Sequence, residues 1–438
     1  MNNPKIKIST ESYKGVRDFF PTDMFVQNHI FNTWKKTAEK YGYLQYDASV
    51  LESSDLYKAK SGEEIVNEQT YTFTDRGDRE VTLRPEMTPT LARMIATKRR
   101  ELPTPIRWFS MPNLFRYEAP QRGRLREHWQ FNVDIFGVKT IDAETEVLSL
   151  ASDMLKSFGL KDSDFEIRIN SRKVIDFILN EMYALNTESA HRVAKLIDRK
   201  NKMSAEQFEQ NINEIIPEAG SSFLTLLNSK NFEEFVSQIS RGEEIDGAIK
   251  EIKDLMNNLE KLGITNVIFD QTIMRGFDYY TGIVFEINDK HPDNRRAIMG
   301  GGRYDDLLSI FGSEKIPAVG MGVGDVGIRN ILETYGLLPK YTPPTKLYIC
   351  LAEESAKGYA QDLAQKLRST DISVAVDYSG KKVGEQIKYA DKSLIPFITV
   401  LGEEEVKTGN LKIKELATSL ETVLTEDTLV NFFKNSIK

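Results

Sequence analysis

Two runs of strict alternation, separated by a short polar loop, constrain this chain more than any other feature. Residues Asn113 to Gly137 read NLFRYEAPQRGRLREHWQFNVDIFG. Phe115 and Tyr117 alternate with Arg116 and Glu118, and Trp129, Phe131, Val133 and Ile135 alternate with Gln130, Asn132 and Asp134. A period of two assigns each set to one face of a strand. Pro120-Gln121-Arg122-Gly123-Arg124, between the runs, carries turn residues. The stretch therefore predicts an antiparallel hairpin with an apolar face and a second face presenting Arg116, Glu118, Gln130, Asn132 and Asp134. A solvated sheet face usually carries Lys, Glu and Thr. A line mixing a guanidinium, carboxylates and amides argues for a ligand instead.

Charge points the same way. From Arg93 to Arg126 nine basic residues stand against two acidic ones, Glu101 and Glu118, although the whole chain carries a net charge of −7. A local positive field in an acidic protein suggests a polyanion handled at one place. Arg116 on a rigid strand suits a phosphate, and Arg122, Arg124 and Arg126 on the loop suit a phosphate backbone. The other classes are narrowed by absences. No apolar run is long enough to span a membrane, and the first residues lack the apolar stretch of a secretory signal. The single Cys350, in the apolar run LYICLA, reads as a core residue and suits a reducing cytosol. Four scattered histidines, with no HExxH and no Cys/His cluster, argue against a structural zinc.

With 438 residues, two or three domains are expected. Asp23 to Tyr41 has helical periodicity, with Asp23 as N-cap and Gly42 as terminator, and YLQYDASVLE follows as a strand. TYTFTD and REVTLRPE predict paired strands around Arg76-Gly77-Asp78. A helix over 142–158 closes at Gly159, and FEIRIN is a strand. From 171 to about 265 the chain is rich in Lys and Glu and helical in pattern. Ser204 and Gln207 are placed as a capping box there, with Met203 and Phe208 as a hydrophobic staple. Strands return in VIFDQTIMRGFDYYTGIVFEIN and AIMGGGRYDDLL, and PAVGMGVGDVGIRNILE reads as a glycine-rich strand running into a helix. Its Gly322-x-Gly324-x-x-Gly327 spells a dinucleotide fingerprint, but no βαβ unit or acidic residue follows in place, so it is a decoy. Residues 341–345 form a linker, and beyond it strands and helices alternate as βαβαβ, then a hairpin and a final helix, a compact α/β domain.

The stretch FRYEAPQRGRLREHWQ resembles motif 2 of class II aminoacyl-tRNA synthetases in its histidyl-tRNA synthetase form. The resemblance extends along nearly the whole chain. The long helix and strand after Asp23 resemble motif 1, the dimer-interface element; TLRPE resembles the family's amino-acid-binding stretch; RGFDYYTG and GGGRYD resemble its histidine motifs; PAVGMGVGDVGIRNILE resembles motif 3. The resemblance implies an α+β fold: an antiparallel class II catalytic core over 1–170 and 266–338, interrupted by a helical insertion over 171–265. An anticodon-binding α/β domain over 345–438 completes it. It implies a cytoplasmic homodimer, with no membrane partner, that takes L-histidine, ATP with Mg2+ and tRNA(His), and passes through histidyl-adenylate. The other reading is a catalytically inactive histidine-binding regulatory paralogue, although such paralogues typically lack the arginine motif and the anticodon domain.

By the same resemblance, Arg116 and Arg275 flank the α-phosphate, Arg126 reaches the outer phosphates, Glu118 accepts from the adenine amino group and His128 lies across the ring. Gln130 faces the histidine carboxylate or its phosphoryl partner. Glu86, beside Thr88, meets the α-amino group; Asp134 accepts the imidazole N–H; Tyr279 and Tyr280 shape the pocket. Gln121, Arg122 and Arg124 meet the tRNA acceptor end. No protein metal site is implied. The chain departs from the family at four places. Ser49 replaces a motif 1 proline, Asp134 a frequent glutamate, His128 a frequent phenylalanine, and Gly327 the motif 3 arginine that stacks on adenine.

Overall fold

The computed structural model describes residues 9–58, 69–200, 203–274, 279–294 and 296–435. The chain divides into two units, one ending at Pro339 and the other beginning at Lys340. In the first unit the strands are β1 (Leu44–Gln45), β2 (Leu51–Ser53), β3 (Tyr71–Thr74), β4 (Glu80–Leu83), β5 (Ile106–Ser110), β6 (Asn113–Phe115), β7 (Glu127–Phe136), β8 (Phe165–Ser171), β9 (Val267–Phe269), β10 (Ile283–Asp289), β11 (Ala297–Arg303) and β12 (Ala318–Gly324). Among the described residues nine of them make one sheet, in the order β1-β5-β7-β12-β11-β10-β8-β9, with β6 joined to the outer end of β7. Neighbours are antiparallel except at the two margins, where β1–β5 and β8–β9 run parallel. This is the α+β core that the sequence predicts.

β7 holds the interior of the sheet because one of its faces is apolar from Trp129 to Ile135. Phe131, Val133 and Ile135 pack with Trp34 of the helix Pro21–Lys40 and with Val147, Leu148 and Ala151 of the helix Asp142–Ser157. Trp34 stacks on Phe131 at 5.5 Å between ring centroids. Each such side chain, taken from water, stabilises the fold by about 1.5–3 kcal/mol. The opposite face of β7 is thereby free for polar side chains.

Three local expectations change. The first helix begins at Pro21, whose missing N–H costs nothing at a helix start. Asp23 lies inside it and accepts instead from Arg329 at 2.9 Å. YLQYDASVLE is not one strand but the two short strands β1 and β2. In the first arm of the hairpin the buried residue is Leu114, opposite His128, whereas Tyr117 is 50% exposed. β6 ends at Phe115, so the alternation of Phe115 and Tyr117 runs past the strand that was to use it.

β3 and β4 form the expected hairpin; the Asp75 carboxylate accepts from the backbone N–H of Gly77 and Arg79 at its turn. Between Arg172 and Lys261 the chain is helical, and these helices share an apolar cluster with the sheet. The Ser204 hydroxyl caps one of them by accepting from Gln207 N–H at 3.2 Å, and Phe208 is buried beneath.

The second unit is a sheet of β13 (Leu347–Leu351), β14 (Val374–Val376), β15 (Phe397–Leu401), β16 (Asn410–Glu415) and β17 (Glu421–Thr425), in the order β14-β13-β15-β16-β17. The first three pair in parallel through the helices Lys357–Arg368 and Val383–Lys392, and β16–β17 is an antiparallel hairpin. Cys350 is buried in β13.

Candidate active site

The polar face of β7 lies across glycine. β12 pairs with β7 so that Gly320 sits opposite Asp134, Gly322 opposite Asn132 and Gly324 opposite Gln130. A Cβ on Gly320 would fall 2.1 Å from Asp134 Oδ1, and one on Gly322 2.9 Å from Gln130 Nε2. The glycines of this stretch therefore clear space for β7's side chains on an antiparallel strand. Gly320→Ala is expected to destabilise the fold by about 1–3 kcal/mol through overpacking, which thermal unfolding checks.

At the inner end of this face, Asp134 is buried. The Tyr304 hydroxyl donates to its Oδ1, and its Oδ2 has no partner among the described residues. Burial pushes the Asp134 carboxyl up to about 7, outweighing the opposing Tyr304 hydrogen bond. Tyr304 packs edge-on to Tyr279 at 5.6 Å, and Tyr279 lies 4.9 Å from Tyr280. The Tyr279 hydroxyl donates to buried Glu86 at 3.3 Å and has the Thr88 hydroxyl within hydrogen-bonding reach. Glu86, Thr88, Asp134, Tyr279 and Tyr280 thus gather in one cluster of contacts. Tyr304 joins them, and sequence reasoning missed it as a site residue. Its neighbour Arg303 points the other way, into a buried ion pair with Glu144 at 2.6 Å that ties β11 to the Asp142–Ser157 helix.

At the outer end the same face opens into a cavity of about 850 Å³. Arg116, Glu118, Gln121, Arg122, Arg124, His128 and Gln130 line one side, and Gly322, Gly324 and Gly327 another. Asp198, from the helical segment, also reaches it. Arg116 Nε donates to the Pro85 carbonyl at 2.9 Å, which fixes the guanidinium. Burial lowers its pKa from the usual guanidinium value, with Glu86 and Glu118 opposing. An arginine so placed remains a cation. Glu118 forms an ion pair with Arg124 at 2.5 Å. Burial, then the charges of Arg116, Arg17 and Arg124, hold His128 down to about 3, so its ring is neutral.

Arg126 is the exception among the expected nucleotide contacts. It does not line the cavity. Its guanidinium lies over Tyr117 at 4.1 Å and Tyr13 at 5.6 Å, and donates to the Tyr13 hydroxyl and the Glu118 carbonyl. It braces the hairpin, and Arg124, across the Gln121–Arg124 turn, faces the cavity instead. Arg275 lies outside the described residues.

A largely antiparallel sheet thus brings Arg116 and the buried Glu118 to one cavity, beside a glycine-rich strand that runs into a helix. The model of the family "Histidyl-tRNA synthetase" matches residues 15–324, and that of "Anticodon binding domain" matches residues 346–436. A histidine–tRNA ligase of Leptospira biflexa is 43% identical over 416 residues, 94% of each chain. One of Thermoplasma volcanium is 37% identical over 428 residues, 97% of this chain and 99% of that protein. In three dimensions, histidyl-tRNA synthetase from Nostoc sp. PCC 7120 superposes with a TM-score of 0.79 over 98% of this chain and 100% of that one, at 20% identity. The chain belongs to the histidyl-tRNA synthetase family.

Proposed function

We infer that the chain joins L-histidine to tRNA(His) in two steps driven by ATP. The carboxylate of histidine attacks the α-phosphorus of ATP, giving histidyl-adenylate and pyrophosphate. The 3′-terminal ribose of the tRNA then takes the acyl group. The observation that carries this is the single polar line along β7, with an aromatic cluster around the buried Asp134 at one end, an arginine-walled cavity at Arg116 at the other and Gln130 between them.

Neither step needs a nucleophile from the protein. The first needs in-line placement and positive charge around phosphorus. Arg116, with Arg275 as its proposed partner, would supply that charge. Glu86 would take the α-amino group, Asp134 the imidazole N–H, and Gln130 the carboxylate. Among the described residues no group of three or more His, Cys, Asp or Glu side chains could hold a metal ion. Magnesium would therefore be held chiefly by phosphate oxygens, a mode that asks for only one or two protein carboxylates. Glu286 lines the cavity and fits that part. Bound there, the ion would neutralise phosphate charge.

Gln121 and Arg122, at the cavity rim on the hairpin turn, would meet the tRNA acceptor end, and the unit from Lys340 would read the anticodon arm. Exposed Leu44 and Leu51, in the stretch resembling motif 1, support a second copy covering β1 and β2 as a homodimer. No helix among the described residues is long and apolar enough to cross a membrane, and a cytoplasmic site of action agrees with the substrates. A regulatory paralogue needs the histidine pocket but neither the arginine-walled cavity nor the anticodon-binding domain; the presence of both supports the ligase.

The test is ATP–pyrophosphate exchange with each of the twenty amino acids, followed by histidylation of tRNA(His). Exchange with histidine alone is expected. A folded protein that binds histidine but shows no exchange would refute the ligase. A narrower expectation concerns His128: its ring is neutral and serves as a flat wall, so His128→Phe should change the ATP KM by less than about threefold, within the 0.5–1.5 kcal/mol span of aromatic contacts.

A further inference from the structure

We propose that Arg296 is a nucleotide-binding residue of this enzyme, clamping the outer phosphates of ATP together with Arg124. The proposal rests on the ligase assignment above and adds to it a residue from a different strand.

Arg296 stands one residue before β11 and lines the same cavity as Arg116 and Arg124. In the β11–β12 register Met299 lies opposite Val323. β12 ends one residue later, at Gly324, and beyond the paired residues Arg296, Val326 and Gly327 line the same cavity. Gly327 itself leaves the cavity wall open: a Cβ built there meets nothing within 4 Å. The helix Asp325–Thr334 thus offers no cation from this position, and the arginine comes from the strand beside it. A Cβ on Gly123 would sit 4.0 Å from Arg296 Cδ, so the side chain crosses to the turn that carries Arg124.

Arg296 has no hydrogen bond or ion pair with any described residue, whereas Arg124 is paired with Glu118. Two guanidiniums beside one cavity repel unless an anion lies between them. Partial burial, then the charge of Arg124, lower the pKa of Arg296, with the single carboxylate of Glu118, already paired with Arg124, opposing them. A triphosphate tail, with several negative oxygens, is the anion this arrangement fits, since guanidinium forks match phosphate bidentately. The adenine amino group has Glu118, and the α-phosphate has Arg116, which leaves the outer phosphates for the pair at the turn.

Arg296→Ala is expected to raise the ATP KM in pyrophosphate exchange about tenfold to a hundredfold, by analogy with other lost charge-assisted contacts, with the histidine KM within about twofold. Arg296→Lys should recover part of the loss. Inhibition by adenosine, which lacks phosphates, should be unchanged. An ATP KM within about twofold of the parent overturns the proposal. So does a parallel loss of adenosine affinity, which would put Arg296 on the ring, or a rise confined to the tRNA KM, which would put it on the acceptor stem. Calorimetric binding of ATP to parent and Arg296→Ala protein tests the contact without catalysis. It therefore separates failure of this assignment from failure of the ligase reaction itself.

Discussion

Arg116→Ala is expected to slow histidine-dependent pyrophosphate exchange by about 10²–10³-fold, the usual cost of losing one preorganised donor at a developing charge. The guanidinium is partly buried in the wall of the cavity, and its Nε is already held by the Pro85 carbonyl. Its remaining N–H groups need no reorganisation when phosphorus becomes five-coordinate, and burial raises the worth of each contact. Arg116→Lys should recover only part of the rate, because an ammonium cannot engage the Pro85 carbonyl and two phosphate oxygens in one plane. Histidine affinity, measured by calorimetry, should fall far less than the rate. Thermal unfolding serves as the control, since Glu86 and Glu118 lose a neighbouring cation. Exchange within tenfold of the parent, in a folded variant, would remove Arg116 from the reaction.

Much of this site was legible in the sequence because its frame is a single strand. β7 alternates polar and apolar residues from His128 to Ile135, and the apolar half of that pattern fixes which side chains face away from the core. The alternation named Gln130 and Asp134 without any knowledge of their neighbours. The β3–β4 hairpin and the βαβαβ of the second unit were legible for the same reason: each is set by local turns and short-range periodicity.

What escaped depends on contacts between distant segments. Tyr304 is 170 residues from Asp134 and reaches it only through the register of β11, β12 and β7. Arg124 and Arg126 look equivalent in sequence; the turn at Gly123 and the aromatic surfaces of Tyr13 and Tyr117 decide which faces the cavity. Tyr117 was assigned to the apolar face by alternation, but its strand stops at Phe115. Arg296 carries no motif of its own, and only the fold brings it to the cavity that Arg124 and Gly327 also line.

The second large effect belongs to Asp134. Asp134→Ala is expected to raise the histidine KM about 5- to 150-fold, the 1–3 kcal/mol cost of leaving a buried polar partner unmade. The ATP KM should stay within about twofold; a loss confined to ATP would take Asp134 out of the histidine pocket. The carboxyl also predicts a pH dependence. Its folded-state pKa is raised from 3.8 to about 7 by burial, so the protonated form is the one the fold favours. Its contribution to stability is therefore full below about pH 4 and is lost as pH rises through 7. Histidine binding runs the other way, because the ionised carboxylate is the stronger acceptor for the imidazole N–H. The histidine KM of the parent should fall as pH rises from 6 to 8, with a step near 7. In Asp134→Ala that step should vanish, leaving only the titration of free histidine's own imidazole near 6.5. Asp134→Asn should gain stability over the parent as pH rises from about 4 to 7, and hold that gain above it. A pH-independent difference between the two proteins would show that Asp134 does not titrate in this window.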